Sequence, residues 1–431
     1  GGHQMTVEMQ TDQDIKKYAQ QVDEPQWFTS MRLKAQQEVE DLTLPNFQKI
    51  QYHSWPINST RKLEVGDHRL TDEKLVTEQA NIVQIGSKVI QKDLPQEFMD
   101  KGVIVCDWAT ALKKHSELVE KYFMTMATEP TENRLNAEHV AHLTSGLLIY
   151  VPKNVILKHP LTSYFFQDAR QSRDYVHHLL LIADRGSEVS YLENTGTVGT
   201  KPCPANIIEE VIAEPDSHIK FASVDRLGEN TTAYLNRRGY LKRNVRIDWS
   251  MGMMNDGNIV GDFDSELVGE ASHAEVKVVA ISTGDQVQGI DTRVTNYGQH
   301  SLGNILQHGV ILARSSLIFN GIGHIIHGAR GAEAQQESRV LMLSTKARGD
   351  ANPILLIDDN DVVAGHAASV GRVDEQKMYY LMSRGVDKKT AERLVIRGFL
   401  GPVLSALPSK EVRKVLADMI ERKLVNGQKD E

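Results

Sequence analysis

The residues best equipped for chemistry in this 431-residue chain are a few clustered histidines, some paired carboxylates and two cysteines. Glu138-His139-Val140-Ala141-His142 sets two imidazoles three residues apart, a spacing that can share one helix face. A structural zinc site needs four ligands, and the order is not His-Glu-x-x-His, so two packed histidines are the ordinary reading. His177 and His178 are adjacent, which on a strand sends them to opposite faces. His324 and His327 stand at an odd spacing with the same consequence, one on the surface and one packed. Asp358-Asp359-Asn360-Asp361 resembles the opening of a calcium loop, but Val363 stands where the sharp turn needs glycine, which leaves a solvated turn.

Cys106 and Cys203 are too few for a disulfide framework and point to a reducing compartment. They are also half the thiolates that a four-cysteine zinc or iron–sulfur site takes from one chain. Asp262 and Asp264 would share one face of a strand, as the carboxylates of a carbohydrate-cleaving groove do; the commoner outcome is a solvated face. No Gly-Lys dipeptide occurs, so there is no Walker A loop, and no Gly-x-Ser-x-Gly elbow occurs either. With 57 acidic against 49 basic residues the net charge is −8, which disfavours a general nucleic-acid binder. No apolar run approaches the ~20 residues that span a bilayer. The expectation is a cytoplasmic protein bound to no membrane, with residues 1–5 a cloning remnant ending at Met5.

Three segments must position these residues. Residues 6–144 read as a mixed, mostly helical N-terminal region. Asp12 or Asp14 would cap a helix carrying Ile15, Tyr18, Ala19 and Val22, and Pro25 would open the next, with a stripe from Phe28 to Leu42. Asn81–Ile85 and Val103–Cys106 read as strands, with Asp107 capping the helix that follows. Residues 145–370 lose helical spacing and become short β-rich runs between turns such as Asp184-Arg185-Gly186-Ser187 and Gly269-Glu270-Ala271-Ser272. More than 200 residues of strands without intervening helices exclude a βαβ sheet and fit a stacked β-helix solenoid better than a sandwich. Residues 371–431 turn helical again. Asp374 and Asp387 are N-caps, Gly385 closes the first helix, and Ala391, Leu394, Val395 and Phe399 face inward. Pro402 opens a last segment that Pro408 interrupts, and Asn426–Glu431 is a polar, frayed tail.

Gly365-His366-Ala367-Ala368-Ser369-Val370-Gly371-Arg372-Val373-Asp374-Glu375, followed by Tyr379-Tyr380-Leu381-Met382-Ser383-Arg384-Gly385, resembles the signature of the SufB/SufD family of iron–sulfur cluster assembly proteins. The likeness continues through Pro353–Ile357, Leu341–Ser344, Gly146–Lys153, Glu24–Trp27 and Arg32–Ala35, nearly the whole chain. Its length and short N-terminal region resemble SufD more than SufB. The resemblance implies a right-handed parallel β-helix flanked by an N-terminal α/β region and a C-terminal helical domain. It implies a non-catalytic subunit that pairs with a SufB-type sister through the solenoid end and docks the SufC-type ABC ATPase through the C-terminal helices. Arg384, Gly385, Leu394 and Phe399 are then the docking candidates. No tightly bound cofactor is implied, only iron or a cluster held transiently at the subunit interface. His366 is retained as the imidazole ligand for it, whereas the family's cysteine two positions earlier is Ala364 here. An open solenoid end also implies a homodimer in isolation. The alternative within the family is a scaffold that itself holds the cluster on Cys106 or Cys203.

Overall fold

A computed structural model describes residues 2–59, 63–65 and 79–429. The N-terminal region contains α1 (Gly2–Gln21), α2 (Gln26–Glu38), the hairpin β1 (Ile82–Ile85) and β2 (Lys88–Lys92), α3 (Gln96–Asp100), β3 (Ile104–Asp107), α4 (Trp108–Lys114), α5 (Ser116–Tyr122) and α6 (Arg134–His142). Asp12 and Asp14 lie inside α1, not at its start, so neither is a cap. Asp107 does cap α4, its carboxylate accepting from the Thr110 amide. Asp107→Ala is expected to cost about 1 kcal/mol in urea unfolding, the usual loss on deleting an N-cap acceptor. Arg32 of α2 is fully buried. It pairs with Glu24 at 2.8 Å and donates to the carbonyls of Val140, Ala141 and Leu143, so one guanidinium caps the last turn of α6.

The middle is a parallel β-solenoid of about 8 turns. Its strands are β4 (Ser145–Val151), β5 (Leu161–Ala169), β6 (Tyr175–Ala183), β7 (Glu188–Gly199), β8 (Cys203–Ala213), β9 (His218–Arg226), β10 (Thr231–Leu241) and β11 (Arg246–Met253). They continue as β12 (Ile259–Leu267), β13 (His273–Ser282), β14 (Val287–Asn296), β15 (Leu302–Ile311), β16 (Ser316–Ile325), β17 (Glu333–Met342), β18 (Arg348–Ile357) and β19 (Val363–Arg372). From β4 on, even strands stack in one sheet and odd strands in the other, each parallel to the strand one turn away. The facing inner surfaces interleave Leu179, Ile207, Leu235, Phe221, Trp249, Val276 and Ile305 into one continuous core.

A ladder along one corner sets the pitch. Asn154, Gly186, Asp216, Asn244, Ala271, His300 and Gly331 all have φ near +60°. Each of the first six donates its amide to the carbonyl just before the next such residue, over 2.8–3.0 Å, and Gly331 donates to the Asp361 carbonyl at 2.7 Å. Serines following four of them, Ser187, Ser217, Ser272 and Ser301, tie each turn to a carbonyl three residues back. The left-handed conformation suits glycine, asparagine and aspartate, which occupy five of the seven positions.

The C-terminal helices are α7 (Glu375–Ser383), α8 (Lys388–Ser405) and α9 (Lys410–Lys429). Asp374 and Asp387 cap α7 and α8 as the sequence predicts, and Gly385 follows α7 with φ +90°. Three details differ. Pro402 lies inside α8, and Pro408 falls in the break before α9. The presumed frayed tail continues α9 to Lys429, with Gln428 buried and bonded to the Lys389 carbonyl. Leu394 is exposed; the buried stripe of α8 is Ala391, Ile396, Leu400 and Val403. With Leu416, Ile420 and Leu424 of α9 this stripe packs against Val224, Val279, Val310 and Leu312 on the flank of the solenoid. Lys423 reinforces the seam, bonding Asp256 at 2.6 Å, the Asn255 carbonyl and Gln286.

The two ends of the solenoid differ. The first turn is closed by β3, antiparallel to β4, and by the β1–β2 hairpin beside β5. Among the described residues nothing closes the last turn. β18 pairs only with β16 and β19 only with β17, so both present a free edge.

Candidate partner-binding site

Strand edges left free at the end of a solenoid expose backbone donors and acceptors, and the last rung's inner side chains have no next rung to cover them. Ile357 and Val370 are accordingly 44% and 40% exposed, where their partners one turn earlier, Ile325 and Val340, are buried. Leu356 and Val363, opposite His324 and Glu333 on the outer face, add exposed apolar surface beside them. His366 lies on β19, opposite Gln336 of β17 in parallel register. Partners in such a register share a face, so His366 stands at the mouth of the solenoid interior, exposed to solvent. Ala364 lies two residues before it on the same face, partly packed against Ala332 and Ala334.

The second feature adjoins the first. β19 ends at Arg372 and α7 begins three residues later, so the exposed rung runs directly into the helices. Between α7, α8 and the end of β17 lies a groove of about 890 Å³, lined by Leu341, Arg372, Tyr380, Leu381, Leu394 and Phe399, among others. The Phe399 ring tilts against His308 at 5.2 Å, and the His308 imidazole bonds the Phe399 carbonyl, which fixes the groove floor to β15. Tyr379, Tyr380 and Met382 leave an apolar rim exposed beside it. Arg384 stacks its guanidinium over the Tyr380 ring at 4.6 Å, and Gly385 terminates α7; neither lines the groove.

Leu394 and Phe399 therefore meet in one groove, Arg384 and Gly385 hold its border, and His366 belongs to the neighbouring mouth. Leu341, Arg372 and the β18 positions Leu356 and Ile357 escaped the sequence reading. For Leu356 and Ile357 the signal is an apolar residue in the last rung of a repeat, which is indistinguishable from core until the end of the solenoid is seen.

The other sequence candidates are placed elsewhere. Cys106 and Cys203 are both buried, and burial together with Asp107 pushes the Cys106 thiol up to about 11, away from the thiolate form that binds metals. Asp262 and Asp264 share a face as expected. Arg238 holds both, at 3.1 and 3.3 Å, and Tyr234 donates to Asp262, so they do not line an open groove. His324 contacts Asp358 and His327 is almost fully exposed beyond the end of β16, so neither is packed in the core. The Asp358–Asp361 turn is solvated, with Asp359 accepting the Gly328 amide. His139 and His178, assigned no common role from sequence, are hydrogen-bonded to each other in the interior. Among the described residues no group of three or more His, Cys, Asp or Glu side chains is placed to hold a metal ion, and no helix is long and apolar enough to cross a membrane.

Comparison with known proteins gives relatives over nearly the whole chain. A family model described as the SufBD core domain of the SUF system for FeS cluster assembly matches residues 165–399. A second, described as the SufBD protein N-terminal region, matches residues 73–162. The chain is 42% identical to the iron–sulfur cluster assembly protein SufD of Bacillus subtilis, over 97% of this chain and 99% of that protein. It is 26% identical to a SufBD family protein of Staphylococcus haemolyticus, over 92% of this chain and 90% of that protein. A homologue in Staphylococcus saprophyticus is 25% identical over the same shares.

Proposed function

The chain belongs to the SufB/SufD family, most like SufD, and from that premise we propose that it is a non-catalytic subunit of a cytoplasmic iron–sulfur cluster assembly complex. In this reading it pairs with a SufB-type sister at the open solenoid end and docks a SufC-type ABC ATPase in the α7–α8 groove. The observation that carries the reading is the uncovered last rung, β18 and β19, whose free edges and apolar side chains a second solenoid end would bury. A copy of the same chain would suit that end too, which makes a homodimer the state expected without the sister.

The placement supplies a mechanical logic. Arg372 is both the last residue of β19 and part of the groove wall, so a partner seated in the groove touches the strand that forms the pairing edge. α8 and α9 are clamped to the solenoid flank by the Ile396–Leu400–Ile420 core and by Lys423. Movement of a docked ATPase is then conveyed to the whole solenoid as one body, with the strain concentrated at the pairing end. Iron or a nascent cluster would be cargo at that end, where His366 offers one imidazole and this chain, with Ala364, offers no adjacent thiolate. The sister would have to supply the sulfur ligands. The reading in which Cys106 or Cys203 holds the cluster is less favoured, because both are buried away from the mouth.

The test is the mass of the complex formed by the full chain with its cognate ATPase and sister subunit, followed by light scattering. Wild type is expected to form the ternary species. Leu394→Glu places a carboxylate in the groove at an exposed position, so it should leave folding within about 0.5 kcal/mol of wild type and weaken ATPase binding at least about tenfold. Unchanged ATPase affinity would remove the groove from the reading.

A further inference from the structure

A one-way chain of hydrogen bonds crosses the junction between the N-terminal region and the solenoid. The Asn206 amide donates from Nδ2 to the Leu135 carbonyl at 2.9 Å. Its Oδ1 lies 2.9 Å from His139 Nδ1, His139 Nε2 lies 2.9 Å from His178 Nδ1, and His178 Nε2 lies 2.9 Å from Glu210 Oε1. The same Glu210 oxygen accepts the Met124 amide at 2.9 Å. All four side chains are buried, and the Trp108 and Phe123 rings pack on His178. The chain thereby joins α6 and the Phe123–Met124 turn to β6 and β8, the first rungs of the even-strand sheet.

Both ends are backbone groups of fixed polarity, and this determines every hydrogen between them. The Leu135 carbonyl can only accept, so Asn206 turns its amide nitrogen toward it and its oxygen toward His139. His139 must then carry its hydrogen on Nδ1 and accept at Nε2, and His178 must donate from Nδ1. His178 Nε2 is left facing Glu210 with one hydrogen required between them, and the Met124 amide cannot supply it because it already donates to the carboxyl. We propose that this junction is a proton-binding site: one proton is held between His178 and Glu210 while the N-terminal region is seated, and its loss unlatches α6 and the Phe123–Met124 turn from the solenoid.

The surroundings agree on where that proton resides. Burial drives His178 down to about 3 and lifts Glu210 to about 8, the Met124 amide and Arg238 of β10 pulling the latter back only in part. The pair is therefore a neutral carboxylic acid donating to a neutral imidazole, not an ion pair. The other titratable or charged groups acting on the chain are Arg32 of α2 on His139 and the neighbouring His177 of β6; His142, one turn along α6, is buried with them. Arg32 and His177 disfavour a second proton. Rotating the whole chain of tautomers to release the first is blocked by Asn206, whose oxygen would then face a carbonyl or an unprotonated ring nitrogen.

The sign of the effect follows from linkage. A carboxyl that keeps its proton in the folded state while the unfolded one loses it near pH 4.5 makes stability fall as pH rises, until the folded group titrates. The experiment compares the full-length protein with Glu210→Gln, which has no proton to lose. Because one Glu210 oxygen faces both His178 and Met124, the variant's amide serves only one of the two, so the variant carries a constant loss and the pH dependence is what is compared. Unfolding equilibria in urea and hydrogen exchange of α6 and the Phe123–Met124 segment are followed from about pH 5 to 9. Relative to the variant, opening of the wild type should increase by up to tenfold per pH unit up to about pH 8, with the difference between the two levelling off toward pH 5. An infrared carboxylic-acid C=O band, lost on alkalinisation and missing from the variant, should report the same proton. Parallel pH profiles, or a wild type without the carboxylic-acid band at about pH 6, would overturn the proposal, because each means that Glu210 works as a carboxylate. The band is read on the wild type alone and so holds even where the variant does not fold.

Discussion

Exchanging Arg237 for methionine is expected to destabilise the protein by about 3–5 kcal/mol, the largest single-residue loss foreseen in the solenoid. Arg237 is fully buried inside the coil, stacked on Phe263. It forks onto Asp225 at 2.7 and 3.0 Å, bonds Glu209 at 2.7 Å and has Glu193 at 3.6 Å. Three acids face one guanidinium in a site without water contact. Burial and the neighbouring Glu209 hold the Glu193 carboxyl well above its usual range, so it keeps its proton and the cluster balances more nearly than its formal count suggests. Removing the cation leaves Asp225 and Glu209 as uncompensated buried charges, which is why the loss exceeds that of a cavity of similar size. The measurement is the urea midpoint of Arg237→Met against that of Arg237→Met combined with Glu209→Gln and Asp225→Asn. Neutralising the acids should restore most of the loss. A single variant within about 1 kcal/mol of wild type would show that the guanidinium is not what compensates these acids.

This cluster also shows why part of the molecule was legible in the sequence and part was not. Asp107, Asp374 and Asp387 act on amides two or three residues away, so their roles can be read from local spacing. The strand runs between 145 and 370 announce themselves by β-branched residues and turn chemistry. Arg237, by contrast, meets Glu209 because β10 lies on β8 with position 237 opposite 209, a register that no local rule contains. The same holds for His178 and Glu210, and for His139 one region away. Even the repeat is disguised. Its physical constant is the left-handed corner, but the corner is written as Asn, Gly, Asp, Asn, Ala, His and Gly at intervals of 27 to 32 residues, so no string recurs. Leu394 failed for another reason: an apolar residue beside a buried stripe reads as core unless the surface it serves is known. Its exposure beside a groove is the kind of local inconsistency that marks a binding position.

The solenoid end proposed for pairing supplies the second large effect. Ile357→Lys and Val370→Lys, made together, are expected to weaken association with the SufB-type sister by roughly 30- to 1,000-fold, the equivalent of about 2–4 kcal/mol for hot-spot positions. Both side chains are more than one-third exposed on the uncovered rung, so ammonium groups there are solvated in the free subunit and cost its fold little. In the pair the same groups would be trapped between two solenoid ends, where each lysine must be desolvated. Sedimentation or light scattering of the mixed subunits gives the affinity, and urea unfolding of the variant alone verifies the fold. The ATPase should still bind this variant, because the groove residues Tyr380, Leu394 and Phe399 are untouched. That separation is the informative outcome. Loss of the sister with retention of the ATPase assigns one partner to each surface. Loss of both would mean that the groove is completed only when the mouth is closed, with Arg372 as the shared wall. Undiminished pairing would move the sister off the solenoid end, and His366 would then lie outside the interface it is proposed to serve.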